Sequence, residues 1–158
     1  MAAAMAVKGS CCILLLQLIL FLVAKGSDIP CEVEEHLQLV NGSNRSEGRL
    51  NICHEEEWGS VCYVDTETGQ LTFSNISADV ACFQLGFAGA LTWFKHGRFG
   101  PGNLNTWMKR VMCTGSETNI TQCGTWCTTM HPCQYCDIHH FDVGISCIGE
   151  YTTCTDCM

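Results

Sequence analysis

The sequence has 158 residues, of which 47% are hydrophobic and 14 are cysteines, and its formal net charge is −8. This length supports one modest hydrophobic core rather than two domains. All 16 acidic residues but only six of the 8 basic residues lie beyond Gly26, so this part of the chain lacks the basic surface that a dedicated nucleic-acid-binding protein needs.

The first 26 residues have the features of an export signal peptide. Lys8 precedes an apolar run at residues 11–23 that only Gln17 interrupts, and Ala24 and Gly26 are small residues of the kind that signal peptidase reads. The run is shorter than the roughly 20 apolar residues of a membrane-spanning helix. We therefore predict cleavage after Gly26 and a secreted, extracellular protein. The alternative is a membrane anchor formed by an uncleaved N-terminal segment.

Twelve of the 14 cysteines lie beyond the predicted signal peptide, an even number. In an oxidising compartment such cysteines form disulfide bonds before they serve as metal ligands or redox centres. Residues 131–140 have a zinc-like spacing of cysteines and histidines, and CxxC pairs occur at 133/136 and 154/157. Because the compartment is oxidising, we interpret these cysteines as structural, disulfide-bonded residues and not as zinc ligands or redox centres. We predict no metal site and no cofactor.

The chain beyond the signal begins with an acidic lead-in at residues 27–36 that contains Cys31. Alternating leucines predict a first strand at residues 36–40. Two further strands are predicted at residues 49–53 and 58–63, joined by the acidic turn 54–57. We interpret this turn as solvated, and a ligand-binding role is the alternative. After a loop at residues 66–75, a short helix is expected at residues 77–86, capped by Ser77 and ended by Gly86, with Cys82 on its inward face.

The second half of the chain alternates short strands with turns. A run of small and aromatic residues at 87–94 leads into a glycine-rich turn at 97–103. A strand at 107–113, a helical turn at 117–122 and a last strand at 143–148 are predicted next. Residues 149–158 form a short tail with two cysteines. The sequence has four N-glycosylation sequons, which predict a glycoprotein: Asn41, Asn44, Asn75 and Asn119.

Seven segments in fixed order carry a family resemblance. They are residues 47–52 (Glu-Gly-Arg-Leu-Asn-Ile), 58–62 (Trp-Gly-Ser-Val-Cys), 80–86 (Val-Ala-Cys-Phe-Gln-Leu-Gly), 99–102, 107–115, 120–123 and 142–147. Together they resemble the scavenger receptor cysteine-rich (SRCR) domain over residues 37–148. The resemblance implies an α+β fold, a small disulfide-rich domain of short curved antiparallel strands that cradle one helix.

The resemblance also implies a disulfide pattern. It joins Cys62 to Cys136, Cys82 to Cys147, and Cys113 to Cys123, with Cys133 as an alternative to Cys136. The chain is similar to the six-cysteine group of the family, because Ser46 and Phe87 stand where the eight-cysteine group has a further pair. The remaining cysteines allow 15 connectivities, and we expect three more bridges or intermolecular pairing through the last two: Cys31, Cys53, Cys127, Cys133, Cys154 and Cys157.

The family commonly uses acidic side chains to hold a divalent cation that helps to bind ligands. In this chain Tyr63, Val64, Ser77 and Phe141 stand where the family usually has acids, and the acids usual before Val111 are replaced by Lys109 and Arg110. Hard cations need several converging oxygen ligands. We therefore predict no calcium binding of the family type.

The same substitutions suggest a basic ligand-binding surface. Its candidate residues are Lys95, Arg98, Lys109 and Arg110, with His96 beside them, in two segments that we expect the fold to bring together. Such a surface would bind polyanionic or microbial ligands; the alternative is scattered solubilising charge. No nucleophile elbow or catalytic triad motif is present, so we expect no enzyme.

Two function classes follow. The first is an extracellular, non-catalytic domain that recognises anionic or microbial surface ligands or protein partners. The second is a secreted structural or interaction protein that forms disulfide-linked assemblies.

Overall fold

The computed structural model describes residues 30–149 except 66, 104, 129 and 131. The predicted signal peptide and the cysteines of the tail lie outside the described residues. Seven strands and one α-helix are found in the described part: β1 (Leu37–Val40), β2 (Glu47–His54), β3 (Glu57–Val61), α1 (Asn75–Gln84), β4 (Ala90–Phe94), β5 (Thr106–Lys109), β6 (Thr125–Trp126) and β7 (Gly144–Cys147). No helix in these residues is long and apolar enough to cross a membrane.

The strands form one sheet in the order β4-β7-β2-β3-β5-β6, and β1 pairs with β2 outside this path. All pairings are antiparallel except that of β3 with β5. β3 and β5 approach closely because Gly59 has no side chain: a Cβ there would lie 2.2 Å from Cδ1 of Trp107. The mostly antiparallel sheet with one α-helix is the fold class that the family resemblance implies.

The core lies between α1 and the sheet. Its fully buried side chains include Leu50, Ile52, Val61, Met108 and Ile145 from four strands. The helix contributes a second group of buried residues: Ala78, Val80, Ala81 and Cys82. A ten-residue helix is marginal in water by itself, so burial of this face and the bond at Cys82 hold it in place.

The helix begins two residues earlier than predicted. Ser74, not Ser77, is the N-cap, and its Oγ accepts a hydrogen bond from the backbone N–H of Ser77 at 3.3 Å. Ser77 is instead fully buried, and its hydroxyl donates to the carbonyl of Val111 at 3.0 Å. The end was predicted more closely, since Gly86 follows the C-cap with a left-handed φ of 85°.

The strands differ from the predictions mainly at their ends. β5 stops at Lys109 rather than Cys113, because Arg110 has a φ of 55° that a strand does not allow. The predicted helical turn at 117–122 is a 3₁₀ turn at Ile120–Gln122. Sequence reasoning did not predict β4 within the run of small and aromatic residues at 87–94. It also missed β6 and a second 3₁₀ turn at Cys136–Ile138, both only two or three residues long.

All ten cysteines of the described residues are in disulfide bonds. Three pairs are those that the family resemblance implies, and two join cysteines whose pairing was left open: Cys62–Cys136, Cys82–Cys147, Cys113–Cys123, Cys31–Cys53 and Cys127–Cys133. The Cys82–Cys147 bond ties α1 to β7, and the Cys31–Cys53 bond ties the lead-in to β2. Cys133 pairs with Cys127 and so is not the partner of Cys62.

Candidate functional site

A buried charged network holds the loops at one end of the sheet. Asp142 accepts a hydrogen bond from the backbone N–H of Gly102 (3.1 Å), lies 3.1 Å from Nδ1 of His139, and is 3.8 Å from Nε of Arg49. Arg49 in turn donates from Nη1 to the carbonyl of Gly100 at 2.9 Å. Burial lowers the pKa of Arg49, and the charge of Asp142 opposes this shift. The network therefore fixes the glycine-rich turn against the segment before β7.

These fixed loops enclose a groove of about 650 Å³. Its lining comes from the start of β3, the loop before β5 and the 3₁₀ turn before β7: Glu57, Trp58, Asn103, Asn105, Asp137 and His139. The carboxylates of Glu57 and Asp137 belong to exposed residues, and Asn105 donates to Glu57 at 3.3 Å. Among the described residues that line it there is no lysine or arginine, so the groove is acidic. We call it the acidic groove.

The turn beside this groove is strained. β2 and β3 are joined by the two-residue turn Glu55–Glu56, since His54 pairs with Glu57. Both turn residues have positive φ, 51° and 64°, as in the type I′ turns that prefer Asn-Gly. Non-glycine residues in such conformations cost free energy and concentrate at functional sites. The strain is borne by two exposed glutamates next to the acidic groove.

The structure corrects the proposed basic surface. Lys109 is 1% exposed, and its Nζ donates to the carbonyl of Pro132 at 3.1 Å and lies 3.8 Å from Glu67. Arg110 contacts Asp65 and Glu67, each at 2.9 Å, and this pairing lowers the pKa of Asp65 to about 2. Lys109 is therefore structural, and the charge of Arg110 is compensated within the molecule.

Lys95 and Arg98 are exposed and follow β4. In the sheet, β7, β2 and β3 separate β4 from β5, so these residues belong to a different part of the sheet from Lys109. Nζ of Lys95 lies 5.3 Å from the ring centre of Trp93, and Cζ of Arg98 lies 4.4 Å from that of Phe94. Each cation is thus held over an aromatic face.

Tyr63 and Phe141, at two positions where the family resemblance implies acids, belong to an aromatic and histidine cluster. Tyr63 packs edge-on against Phe141 and Trp93, with ring centres 5.6 and 5.7 Å apart. His96 and His140 lie beside it, with their ring centres 5.0 Å apart. The side chains of Tyr63 and Phe141 offer no carboxylate to a hard cation.

Three predicted glycosylation sites are exposed: Asn41, Asn44 and Asn75. Asn119 is partly buried, its amide donates to Glu35 at 2.9 Å, and its carbonyl oxygen caps the following 3₁₀ turn. Within the described residues, Cys113, Glu117 and Cys123 bring three ligand-type atoms together. The two sulfurs are bonded to each other, so this group is not a metal site.

Sequence reasoning missed the acidic groove and the His96–His140 contact. The groove draws on segments 57–58, 103–105 and 137–139, and only the fold brings these together. The strained acidic turn did leave a signal, because a two-residue hairpin turn without Asn or Gly is unusual.

Comparison with known proteins gives a consistent family. Residues 40–148 match the family model described as "Scavenger receptor cysteine-rich domain". The third SRCR domain of murine neurotrypsin is 30% identical with a TM-score of 0.54, over 71% of this chain and 94% of that one. The dimeric form of the SRCR domain of mouse MARCO is 27% identical with a TM-score of 0.50, over 70% of this chain and 92% of that one.

Longer relatives match over a small part of their length. Lysyl oxidase homolog 4 of Bos taurus is 40% identical over 112 residues, which are 70% of this chain and 13% of that protein. The human protein of the same name is 35% identical over 135 residues, 82% of this chain and 16% of that protein. The chain thus spans less than a fifth of the length of these relatives.

Proposed function

Because this chain belongs to the scavenger receptor cysteine-rich domain family, we propose that it is an extracellular, non-catalytic recognition domain whose acidic groove binds a basic segment of a partner protein. The observation that carries the proposal is the convergence of Glu57, Trp58 and Asp137 on one groove, in whose described lining there is no lysine or arginine. A lysine or arginine side chain offers the charge for the carboxylates and an alkyl stem for the indole.

The strained turn supports the same surface. Glu55 and Glu56 occupy conformations that Asn-Gly would adopt at lower cost, and they extend the negative charge from the edge of the groove. A feature that lowers stability and concentrates charge is typical of a binding surface. We propose no catalytic role for this surface.

The experiment is a titration of the full secreted chain with a fluorescent peptide of alternating lysine and glycine. A peptide of alternating glutamate and glycine is the negative probe. We expect saturable binding of the basic peptide that weakens with salt and falls at least about fivefold when Glu57→Gln and Asp137→Asn are combined, because both charges that attract the peptide are lost. Equal binding of both peptides, or no loss in the double variant, would contradict the proposal.

A second variant separates binding from folding. Replacing Glu55-Glu56 by Asn-Gly relieves two left-handed residues and should raise the free energy of unfolding by about 1–2 kcal/mol. Peptide binding should weaken at the same time, because two negative charges beside the groove are removed. A variant that is more stable and binds equally well would show that the turn has no part in recognition.

A second candidate function is the capture of anionic groups, including microbial polymers, by Lys95 and Arg98. It is favoured by the exposure of both side chains and by their fixed positions over Trp93 and Phe94. Heparin is a suitable probe. The Lys95→Gln, Arg98→Gln double variant should lose heparin binding and keep the basic peptide, whereas loss of both would point to a general change in the fold.

A further inference from the structure

Two histidines from distant parts of the chain meet at the surface. Nδ1 of His96 and Nε2 of His140 lie 3.1 Å apart, with the ring planes inclined by 46°. Both residues are exposed. The proposed functions do not use this contact.

The distance suits two ligands of one metal ion. Zinc–imidazole bonds are about 2.0–2.1 Å long, so neighbouring nitrogens on one ion lie about 2.9 Å apart at a right angle and about 3.4 Å apart in a tetrahedron. The observed separation falls between these values.

The surroundings hold the two nitrogens near each other. The hydroxyl of Tyr63 lies 3.3 Å from Nδ1 of His96 and 3.4 Å from its backbone nitrogen. The turn that follows packs on the other loop, since a Cβ at Gly97 would lie 3.2 Å from the carbonyl oxygen of His139. Phe141 packs edge-on against the His140 ring, with centres 5.1 Å apart. Both imidazoles therefore sit on loops that contact each other.

The two cationic side chains near His96 in the sequence contact aromatic rings and not the two imidazoles. Lys95 and Arg98 flank His96 in sequence, and each lies over its own aromatic ring, Trp93 or Phe94. The two imidazoles are the protein donors, and the open coordination positions fall to water or to a group of a partner.

The geometry points to a surface site for a borderline transition-metal ion, with Zn²⁺ as the clearest case, held by His96 and His140. Imidazole nitrogen suits Zn²⁺, Cu²⁺ and Ni²⁺, whereas Ca²⁺ and Mg²⁺ need oxygen ligands. Thiolates do not compete within the described residues, because all of their cysteines are in disulfide bonds. This site departs from the expectation of no metal, which rested on spacing along the chain.

The test is calorimetric titration of the full secreted chain with Zn²⁺, after any free thiols have been alkylated. We expect saturable uptake that Ca²⁺ does not reproduce. His96→Asn and His140→Asn should each weaken it at least about tenfold, because each removes one of two ligands. Asparagine suits position 96, where φ is 61°. His36→Asn is the matched control, since it removes an exposed imidazole elsewhere and should leave the affinity unchanged.

A second measurement does not depend on the variants. In NMR spectra of the unaltered chain, Zn²⁺ should shift the assigned imidazole resonances of His96 and His140 more than those of His36 and His54. The absence of saturable uptake, uptake that persists when both histidines are replaced, or equal weakening by His36→Asn would overturn the inference.

Discussion

Lys109 is a buried cation that contacts groups of the protein itself and does not face a ligand. Its alkyl chain is enclosed by the core, and its ammonium reaches the carbonyl of Pro132 at 3.1 Å. A buried charge is tolerated only when it is hydrogen-bonded or paired, and here the carbonyl and the nearby Glu67 meet that need. Arg110, the next residue, turns outward with a positive φ and pairs with Asp65. These two cations therefore tie the segment after β5 to its neighbours.

Replacing Lys109 by Met should lower stability without affecting anion binding. The variant keeps an unbranched side chain but leaves the Pro132 carbonyl without its donor, which costs about 1–3 kcal/mol. Urea unfolding measures the loss, and heparin titration should be unchanged. Lys95→Gln should show the opposite pattern, with a change in stability below about 0.5 kcal/mol and weaker heparin binding. Weaker heparin binding by Lys109→Met in a folded chain would contradict the structural role.

At the scale of elements, α1 is held by two serines with different tasks. Ser74 caps the first turn from an exposed position. Ser77 is buried and bridges the helix to the segment after β5, because its hydroxyl donates to Val111 and accepts from the backbone N–H of Cys113 at 3.3 Å. The first is a local contact and the second is tertiary. Only the local one follows from the preferences of single residues.

We expect Ser77→Ala to destabilise the protein more than Ser74→Ala. Loss of the cap costs about 1 kcal/mol, whereas loss of the Ser77 hydroxyl leaves two buried backbone groups unpaired at about 1–3 kcal/mol each. Ser77 also completes the sequon at Asn75, so Asn75→Gln is the control for an altered glycan. Chemical unfolding of the three variants gives the order, and a larger loss for Ser74→Ala would show that the bridge contributes little.

The elements were predicted better than their contacts. A first strand near residues 37–40 followed from alternating leucines. A strand at 49–53 was also predicted, and β2 extends to both sides of that span. The end of β5 was missed because the residue pattern gives no sign of the positive φ of Arg110, which ends the strand. A two-residue strand such as Thr125–Trp126 carries too few residues for a periodic pattern.

At the scale of the whole molecule, the fold could be predicted from the sequence, whereas the acidic groove and the histidine pair could not. Seven motifs in order specify the family, and covalent bonds such as Cys82–Cys147 carry that order into three dimensions. The acidic groove needs three segments, and His96 and His140 are 44 residues apart. Charge is visible in a sequence but burial is not, which is why Lys109 looked like a ligand residue.

The pairing of acids also governs how the whole molecule responds to pH. The Arg110 guanidinium lowers the pKa of Asp65 to about 2, and the backbone N–H groups of Thr114 and Gly115 help to lower that of Glu117 to about 2. A carboxyl group whose pKa is lower in the folded state contributes stability above its unfolded pKa and loses that contribution as the pH falls through the folded value. The contribution of both acids is thus fully present at neutral pH.

Stability should therefore stay level from pH 7 to about 5 and fall between about pH 5 and pH 2, because the unfolded acids take up protons there first. Urea unfolding across this range measures the fall. Arg110→Gln removes the largest cause of the Asp65 shift, so its curve should be flatter, and Lys95→Gln, which loses an equal charge away from Asp65, should keep the original slope. If Arg110→Gln and the unaltered chain lose stability in parallel, the Arg110–Asp65 pair does not set the acid response, and the fall must come from other carboxylates such as Glu117.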